Sequence, residues 1–409
     1  MEQVTINRMI IPFSPPDISE LEIAEVVEVL RSGWITTGPR TKQLEKNIAE
    51  YIGANRCVCL NSQTACAEMA LRLLGIGPGD EVIVPAYTYT ASASVVCHVG
   101  AKLVLIDSQM DSLEMDYGAV EAAITERTKA IIPVDLAGVP CDYAKLFEIV
   151  ERKRDLFRPE SDIQRALGRV AIMADTAHAF GAKIGEQYTG TVADFSAFSF
   201  HAVKNLTTAE GGALVWRPLA GIGDERIYEQ LQLLSLHGQN KDALAKTTLG
   251  SWEYDIVGAW YKCNMTDVTA AIGLKQLERY PELQARRREI IGKYDSALKP
   301  LGIWVLDHFT DAYEGSGHLY ITRIPGITSE QRNEMIIKMA ERGVSCNVHY
   351  KPLPMHTAYK QMGFDIKDFP NAYALFANEI TLPLHTCLTD EQVEYVIENY
   401  VEIVKEYIR

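Results

Sequence analysis

A lysine that follows an apolar, aromatic run is the first residue with chemical potential. Phe198-Ser199-Phe200-His201-Ala202-Val203-Lys204-Asn205 leads into Ala209-Glu210-Gly211-Gly212-Ala213. Burial disfavours an ammonium, so a lysine in such surroundings is partly neutral and nucleophilic near neutral pH, which suits Schiff-base formation. Alone, the segment reads equally as a surface lysine at a strand end. Upstream, Asp175 closes the apolar run Ala171-Ile172-Met173-Ala174 and is followed by Thr176-Ala177-His178. If the ligand is pyridoxal phosphate, a carboxylate there keeps the pyridine nitrogen protonated so that the ring acts as an electron sink. Taken singly, Asp175 is better read as a helix N-cap. A strand-end Asp followed by a strand-end Lys is more specific than either one.

Two further segments extend the pattern. Asn61-Ser62-Gln63-Thr64-Ala65 lies between an apolar run and a helical one, and hydroxyls with free amides at a helix start make either a phosphate site or a plain capping turn. Pro85-Ala86-Tyr87-Thr88-Tyr89-Thr90 offers an aromatic face for a flat ring at another strand end, although buried strand-end tyrosines are common.

The elements that must position these residues alternate along the chain. Helical periodicity runs from Ile18 to Leu30, Lys42 to Ile52 and Ala65 to Leu74. Strand candidates are Cys57–Leu60, Val82–Pro85, Leu103–Ile106, Ala130–Val134, Val170–Ala174, Phe195–Phe200 and Gly212–Trp216. Short apolar strands alternating with helices predict a mostly parallel sheet covered on both faces, with ligands at the carboxyl ends of its strands. After about Pro281 the texture changes. A charged helix Leu283–Leu298 leads to strand signals at Gly317–Ile324 and Ser345–Val348, flanked by helices Ile327–Arg342 and Asp390–Tyr407. The expected fold class is α/β, with a large domain over residues 1–284 and a smaller C-terminal α+β domain over residues 285–409.

Composition narrows the functional classes. The 409 residues are 47% apolar and 23% charged, ordinary globular usage that argues against disorder or a fibrous repeat. A net charge of −14 without any long basic run argues against nucleic acid or an anionic membrane as partner. The longest apolar runs, such as Ala91–Val99, fall well short of the ~20 residues that span a bilayer. Met1-Glu2-Gln3 lacks the basic flank of a secretory signal, so a cytoplasmic location is expected. Eight cysteines without a CxxC pair or a His/Cys cluster of zinc spacing predict reduced structural thiols and no metal.

Together the four segments resemble the nucleotide-sugar aminotransferases, the DegT-type family of fold-type-I pyridoxal-phosphate enzymes. The resemblance runs from Ser32-Gly33-Trp34-Ile35-Thr36-Thr37-Gly38-Pro39 to Leu382-Pro383-Leu384-His385, followed by Leu388-Thr389-Asp390-Glu391. It implies that Lys204 carries the cofactor as a Schiff base, that Asp175 pairs with the pyridinium, and that His178 faces the phenolic oxygen. It implies further that Ser199, Gln63 and Thr64 hold the phosphate and that Tyr89 stacks on the ring. Lys262, in Trp260-Tyr261-Lys262-Cys263-Asn264, stands where relatives often have an asparagine that reaches the neighbouring subunit's phosphate, so the resemblance implies a homodimer with shared active sites. Gln63 replaces a small residue, often Gly, so its contact is expected through the backbone amide.

The implied reaction is a transamination from an amino acid, usually glutamate, to a nucleotide-linked keto sugar, with Lys204 moving the proton. Gly250-Ser251-Trp252-Glu253-Tyr254-Asp255 is similar to members acting at C4 of UDP-linked 4-keto sugars. His349, ahead of Pro352 and Pro354, falls in a stretch that comes near the sugar in relatives, while Trp34 and Thr36 either line the substrate entrance or pack. A 3-keto sugar or a keto-cyclitol is the alternative acceptor. Sugar dehydratases of the same fold carry histidine in place of Lys204, and a relative without turnover would have lost Lys204 or Asp175.

Overall fold

The computed structural model describes residues 9–241 and 253–408. Gly250, Ser251 and Trp252, on which the C4 reading partly leans, lie outside the described residues. The chain starts with helix α1 (Glu20–Ser32), where Ser19 and Glu22 cap each other's backbone N–H groups, and α2 (Pro39–Ile52). An alternating series follows: β1 (Cys57–Leu60), α3 (Gln63–Leu73), β2 (Glu81–Pro85), α4 (Thr90–His98), β3 (Lys102–Ile106), α5 (Tyr117–Ala123) and β4 (Thr128–Ile131). Then come α6 (Tyr143–Arg152), α7 (Asp162–Leu167), β5 (Ala171–Asp175), a small hairpin of β6 (Lys183–Ile184) and β7 (Gln187–Tyr188), β8 (Phe195–Ser199), β9 (Gly212–Trp216) and α8 (Asp224–Ser235).

Seven of these strands form one sheet in the order β1-β9-β8-β5-β4-β2-β3. Only β9 runs antiparallel to its neighbours. Every residue of β1, β2, β4, β5, β8 and β9 is buried, which is why these strands are near-continuous apolar runs rather than alternating ones. The α/β expectation therefore holds, and the strand ends carry the residues singled out above.

Two expectations are corrected. Helix α9 runs unbroken from Asp267 to Leu298, with Pro281 inside it, where the sequence predicted a break and a helix from Leu283. An interior proline removes one hydrogen bond and costs ~3 kcal/mol. Burial offsets it on both sides: Ala270, Leu277, Tyr280 and Leu283 pack beneath the large sheet, while Ile290, Ile291, Tyr294 and Leu298 enter a second apolar cluster. Ser345–Val348 forms no strand; only Asn347 bridges to Thr381. The neighbouring N–H groups go to side chains instead, Val348 to Asn347 Oδ1 and His349 to Glu379 Oε2.

The second cluster is built around β10 (Trp304–Val305), β12 (Tyr320–Arg323) and β13 (Glu379–Leu382), with β11 (Tyr313–Glu314) paired instead to β6. Helices α10 (Ser329–Glu341), α11 (Thr357–Gln361), α12 (Pro370–Ala377) and α13 (Asp390–Val404) complete the chain. Ile11, near the other end of the sequence, joins this cluster and bridges Val344. All eight cysteines are free, as expected.

Candidate active site

A cavity of about 770 Å³ opens at the carboxyl ends of β2, β5 and β8, between the N-terminus of α3 and the segment from Asn347 to Lys351. Its walls bring together Gln63, Thr64, Tyr89, Asp175, His178, Ser199, Lys204 and His349, eight of the residues singled out from sequence. Lys262, Trp34 and Thr36 do not line it. Lys262 Nζ is bonded to the Asn264 side chain, Trp34 Nε1 donates to Thr37 O at 3.2 Å, and the Thr36 carbonyl accepts from Asp267 N at 3.1 Å.

Asp175 ends β5 and is a strand-end group rather than a helix cap. Its Oδ2 accepts from Ser92 Oγ at 2.6 Å and its Oδ1 from Ala177 N at 3.1 Å. Ser92 spends its only proton there, so Thr88 is the donor in the 3.0 Å Thr88–Ser92 pair. Burial pushes the Asp175 carboxyl up, while Ser92, the Ala177 N–H and the Lys204 amine pull it down. No cation sits within ion-pair distance of it among the described residues, which leaves the carboxylate short of a positive partner.

Lys204 follows β8 on a turn closed by its own N–H to His201 O at 2.9 Å. Among the described residues its Nζ has no hydrogen-bond or ion-pair partner. Burial lowers the amine to about 8 against the opposing pull of Asp175. Each unit is tenfold, so at neutral pH it holds about 300 times more free base than a lysine at 10.5. The rate at which cofactor-free protein takes up pyridoxal phosphate is therefore expected to rise tenfold per pH unit below about 8 and to level off above it. Stopped-flow absorbance across that range checks the profile, and a rate still climbing tenfold per unit toward pH 10 would contradict it.

His178 accepts at Nδ1 from Ala137 N at 3.1 Å, so its proton sits on Nε2, 3.3 Å from the Tyr350 hydroxyl. Burial, then Lys204 and His349, hold this ring well below its ordinary range, and it stays neutral. Behind it, His318 lies with its ring 4.3 Å away and is fixed through Nδ1 by Asn205. Tyr89 is 59% exposed and faces the Tyr350 ring at 5.8 Å.

At the start of α3, Ser62 Oγ takes up the Ala65 N–H, and the N–H groups of Gln63 and Thr64 are left without partners among the described residues. Gly212 begins β9 against this turn; a Cβ there would lie 2.5 Å from the Gln63 nitrogen. Ser199 Oγ accepts from His201 N at 3.4 Å, so its own proton is free. Gln63 is expected to act through its backbone; its buried side-chain Nε2 makes no full hydrogen bond but faces Asp175 and helps pull that carboxyl down. Free amide donors at a helix start, an unpaired primary amine and a carboxylate without a cation match a phosphate, an aldehyde and a pyridinium respectively. The residues fit pyridoxal phosphate.

The sequence reading missed Ser92, Thr88 and the Ala137 N–H. Thr88 and Ser92 stand four apart, a spacing compatible with one face, but nothing local points them at Asp175.

The family model for the DegT/DnrJ/EryC1/StrS aminotransferases matches residues 16–401. The chain belongs to this family. It is 37% identical to the spore coat polysaccharide biosynthesis protein SpsC of Bacillus subtilis over 97% of both chains. Spr1654 of Streptococcus pneumoniae, named as a sugar aminotransferase, superimposes in its PMP form with TM-score 0.95 and 57% identity, covering 97% of this chain and 99% of that one. A PLP form of the same protein matches at TM-score 0.94 and 55% identity, over 98% and 100%. Helicobacter pylori PseC, an aminotransferase of pseudoaminic acid biosynthesis, matches at 0.85 and 26%, over 97% and 100%. The fold is thus the fold-type-I aminotransferase architecture, and the chain is a pyridoxal-phosphate-dependent sugar aminotransferase. No described helix is long and apolar enough to cross a membrane.

Proposed function

We propose that this aminotransferase moves the amine of glutamate to C4 of a UDP-linked 4-keto-6-deoxy sugar in cytoplasmic amino-sugar and surface-polysaccharide biosynthesis. The observation that carries the catalytic part is the unpaired Lys204 amine sharing a cavity with the cation-short Asp175 carboxylate. The names of SpsC and PseC support the sugar class and the pathway type.

When bound, pyridoxal phosphate supplies an electron sink that stabilises negative charge on the carbon losing its proton. The N–H groups of Gln63 and Thr64 and the Ser199 hydroxyl bind its phosphate, where the N-terminal end of α3 also favours negative charge. Asp175 would keep the ring nitrogen protonated, the Nε2–H of His178 would be free to meet the phenolic oxygen, and Tyr89 would offer an aromatic face to the ring. Lys204 Nζ would hold the cofactor, and its amine, once released, would take the proton from the substrate carbon as general base and give it back as general acid. His349 binds substrate from the wall built by residues 347–351.

A homodimer completes the site in this reading, with Lys262 serving the partner's phosphate. Exposed Tyr254, Ile256, Val257, Trp260 and Tyr261 around Lys262 support an interface there. The chain divides into a cofactor-holding part, residues 1–284, and a smaller part, residues 285–409, hinged on α9.

A half-reaction tests the proposal. Glutamate added to the holoenzyme is expected to remove the visible absorbance of the bound cofactor and release 2-oxoglutarate. Adding a UDP-linked 4-keto-6-deoxy sugar then restores the absorbance. Recovery only with a 3-keto sugar or a keto-cyclitol would overturn the C4 assignment.

A further inference from the structure

One buried acid stands outside the machinery described so far. Glu379, the first residue of β13, is 0% exposed, and so is Thr381 two positions on. The backbone N–H of His349 donates to Glu379 Oε2 at 2.9 Å, and Glu379 Oε1 is bonded to the Thr381 hydroxyl. That hydroxyl lies 2.9 Å from His349 Nδ1, and His349 lines the cavity. Phe13 stacks on the imidazole at 5.5 Å, and the Tyr87 hydroxyl fixes the main chain beside it by donating to the His349 carbonyl at 2.8 Å.

A threonine hydroxyl has one proton to give. When Glu379 is ionised, Oε1 takes that proton as a hydrogen bond, so His349 must donate from Nδ1 and Nε2 is left as an acceptor. When Glu379 is protonated, Oε1 carries the proton because Oε2 is already accepting the backbone N–H. The chain of bonds then reverses: Glu379 donates to Thr381, Thr381 donates to His349 Nδ1, and the imidazole proton moves to Nε2.

We propose that Glu379, through the Thr381 hydroxyl, decides which nitrogen of His349 carries the proton, and so whether the cavity wall offers a substrate an acceptor or a donor. Glu379 is thereby a positioning residue for the acceptor substrate. The inference rests on the reading of His349 as substrate-binding.

The surroundings permit both states. Burial pushes the Glu379 carboxyl up, while Thr381, the His349 N–H, Arg332 on α10 and Arg323 on β12 pull it down, which leaves it at about 8. Tyr87, Tyr350, Cys346 and Tyr400 also feel its charge, and burial raises all four so that they stay neutral. His349 itself is held down to about 3 by burial and by Lys204, so it is uncharged in both states and only its tautomer changes.

Nitrogen-15 NMR of histidine-labelled holoenzyme reads the proton on each ring nitrogen, with His349→Gln assigning the signal. In the wild type, His349 is expected to be Nε2–H below about pH 8 and Nδ1–H above it. Glu379→Gln, whose amide always donates toward Thr381, should be fixed as Nε2–H throughout. The KM for the keto sugar should then coincide in the two proteins one pH unit below 8 and differ about fivefold one unit above, the scale of one hydrogen bond, with the glutamate half-reaction unchanged. Identical proton placement in both proteins at every pH would overturn the relay. Should Glu379→Gln not fold, Thr381→Val serves: it must abolish the pH switch, and a switch that persists overturns the relay equally. The NMR result needs no sugar, so failure of the sugar assignment and failure of the relay are told apart.

Discussion

Lys204→Ala is expected to lose amine transfer by at least about 10³-fold while folding normally. Acid–base catalysis by one positioned side chain is worth about 10²–10⁴ in rate, and among the described residues the one other primary amine lining the cavity is that of Lys351, which is exposed. The fold survives because Lys204 Nζ bonds to nothing among the described residues, and its turn is held by backbone contacts, Lys204 N to His201 O and Thr208 N to Phe200 O. Lys204→Arg should fail as badly, since a guanidinium does not deprotonate near neutral pH and cannot act as nucleophile or base. Turnover with glutamate and a keto acceptor measures the first claim, and circular-dichroism melting the second. Activity above roughly a few per cent of wild type, in a folded variant, would remove Lys204 from its assigned role.

Asp175→Asn isolates charge from shape. The amide can keep both local contacts, Oδ1 accepting from Ala177 N–H and Nδ2 donating to Ser92 Oγ, so the carboxylate's negative charge is what is lost. On the proposed role, no other carboxylate among the described residues of the inner cavity would then hold the pyridine nitrogen protonated, and the electron sink would weaken. A loss of about 10³-fold in kcat is expected, the upper range for removing one preorganised electrostatic partner. Glutamate binding should change far less, because Asp175 does not act on the donor. Steady-state kinetics with separate kcat and KM decide it: a variant with near-normal kcat and a raised KM would place Asp175 in substrate binding instead.

The cofactor elements were legible because their signals are local. Asp175 and Ser199 each end an apolar run that must be a buried strand, and residue type at a strand end says where a ligand meets it. Ser62, at the junction of β1 and α3, is marked by capping chemistry alone. Helix starts, turn residues and full-width apolar strands are fixed by interactions within a few residues, so one sequence suffices to place them.

What tertiary structure decided involves partners far apart in the chain. The continuity of α9 through Pro281 came from two apolar clusters that bury its opposite halves, a gain the local helix rule cannot see. Ser92 reaches Asp175 across 83 positions, and Ala137 fixes the His178 tautomer across 41. The segment expected as a strand at Ser345–Val348 keeps a single bridge because its N–H groups part ways: Ser345 N goes to Ile11 O, Asn347 N to Thr381 O and Val348 N to the Asn347 side chain. Lys262, Trp34 and Thr36 lie off the cavity wall of the single chain, where the pattern alone had grouped them with the site. Periodicity reports which face of an element is buried; it carries no information on which distant donor meets which acceptor, and that pairing is what sets the protons in this site.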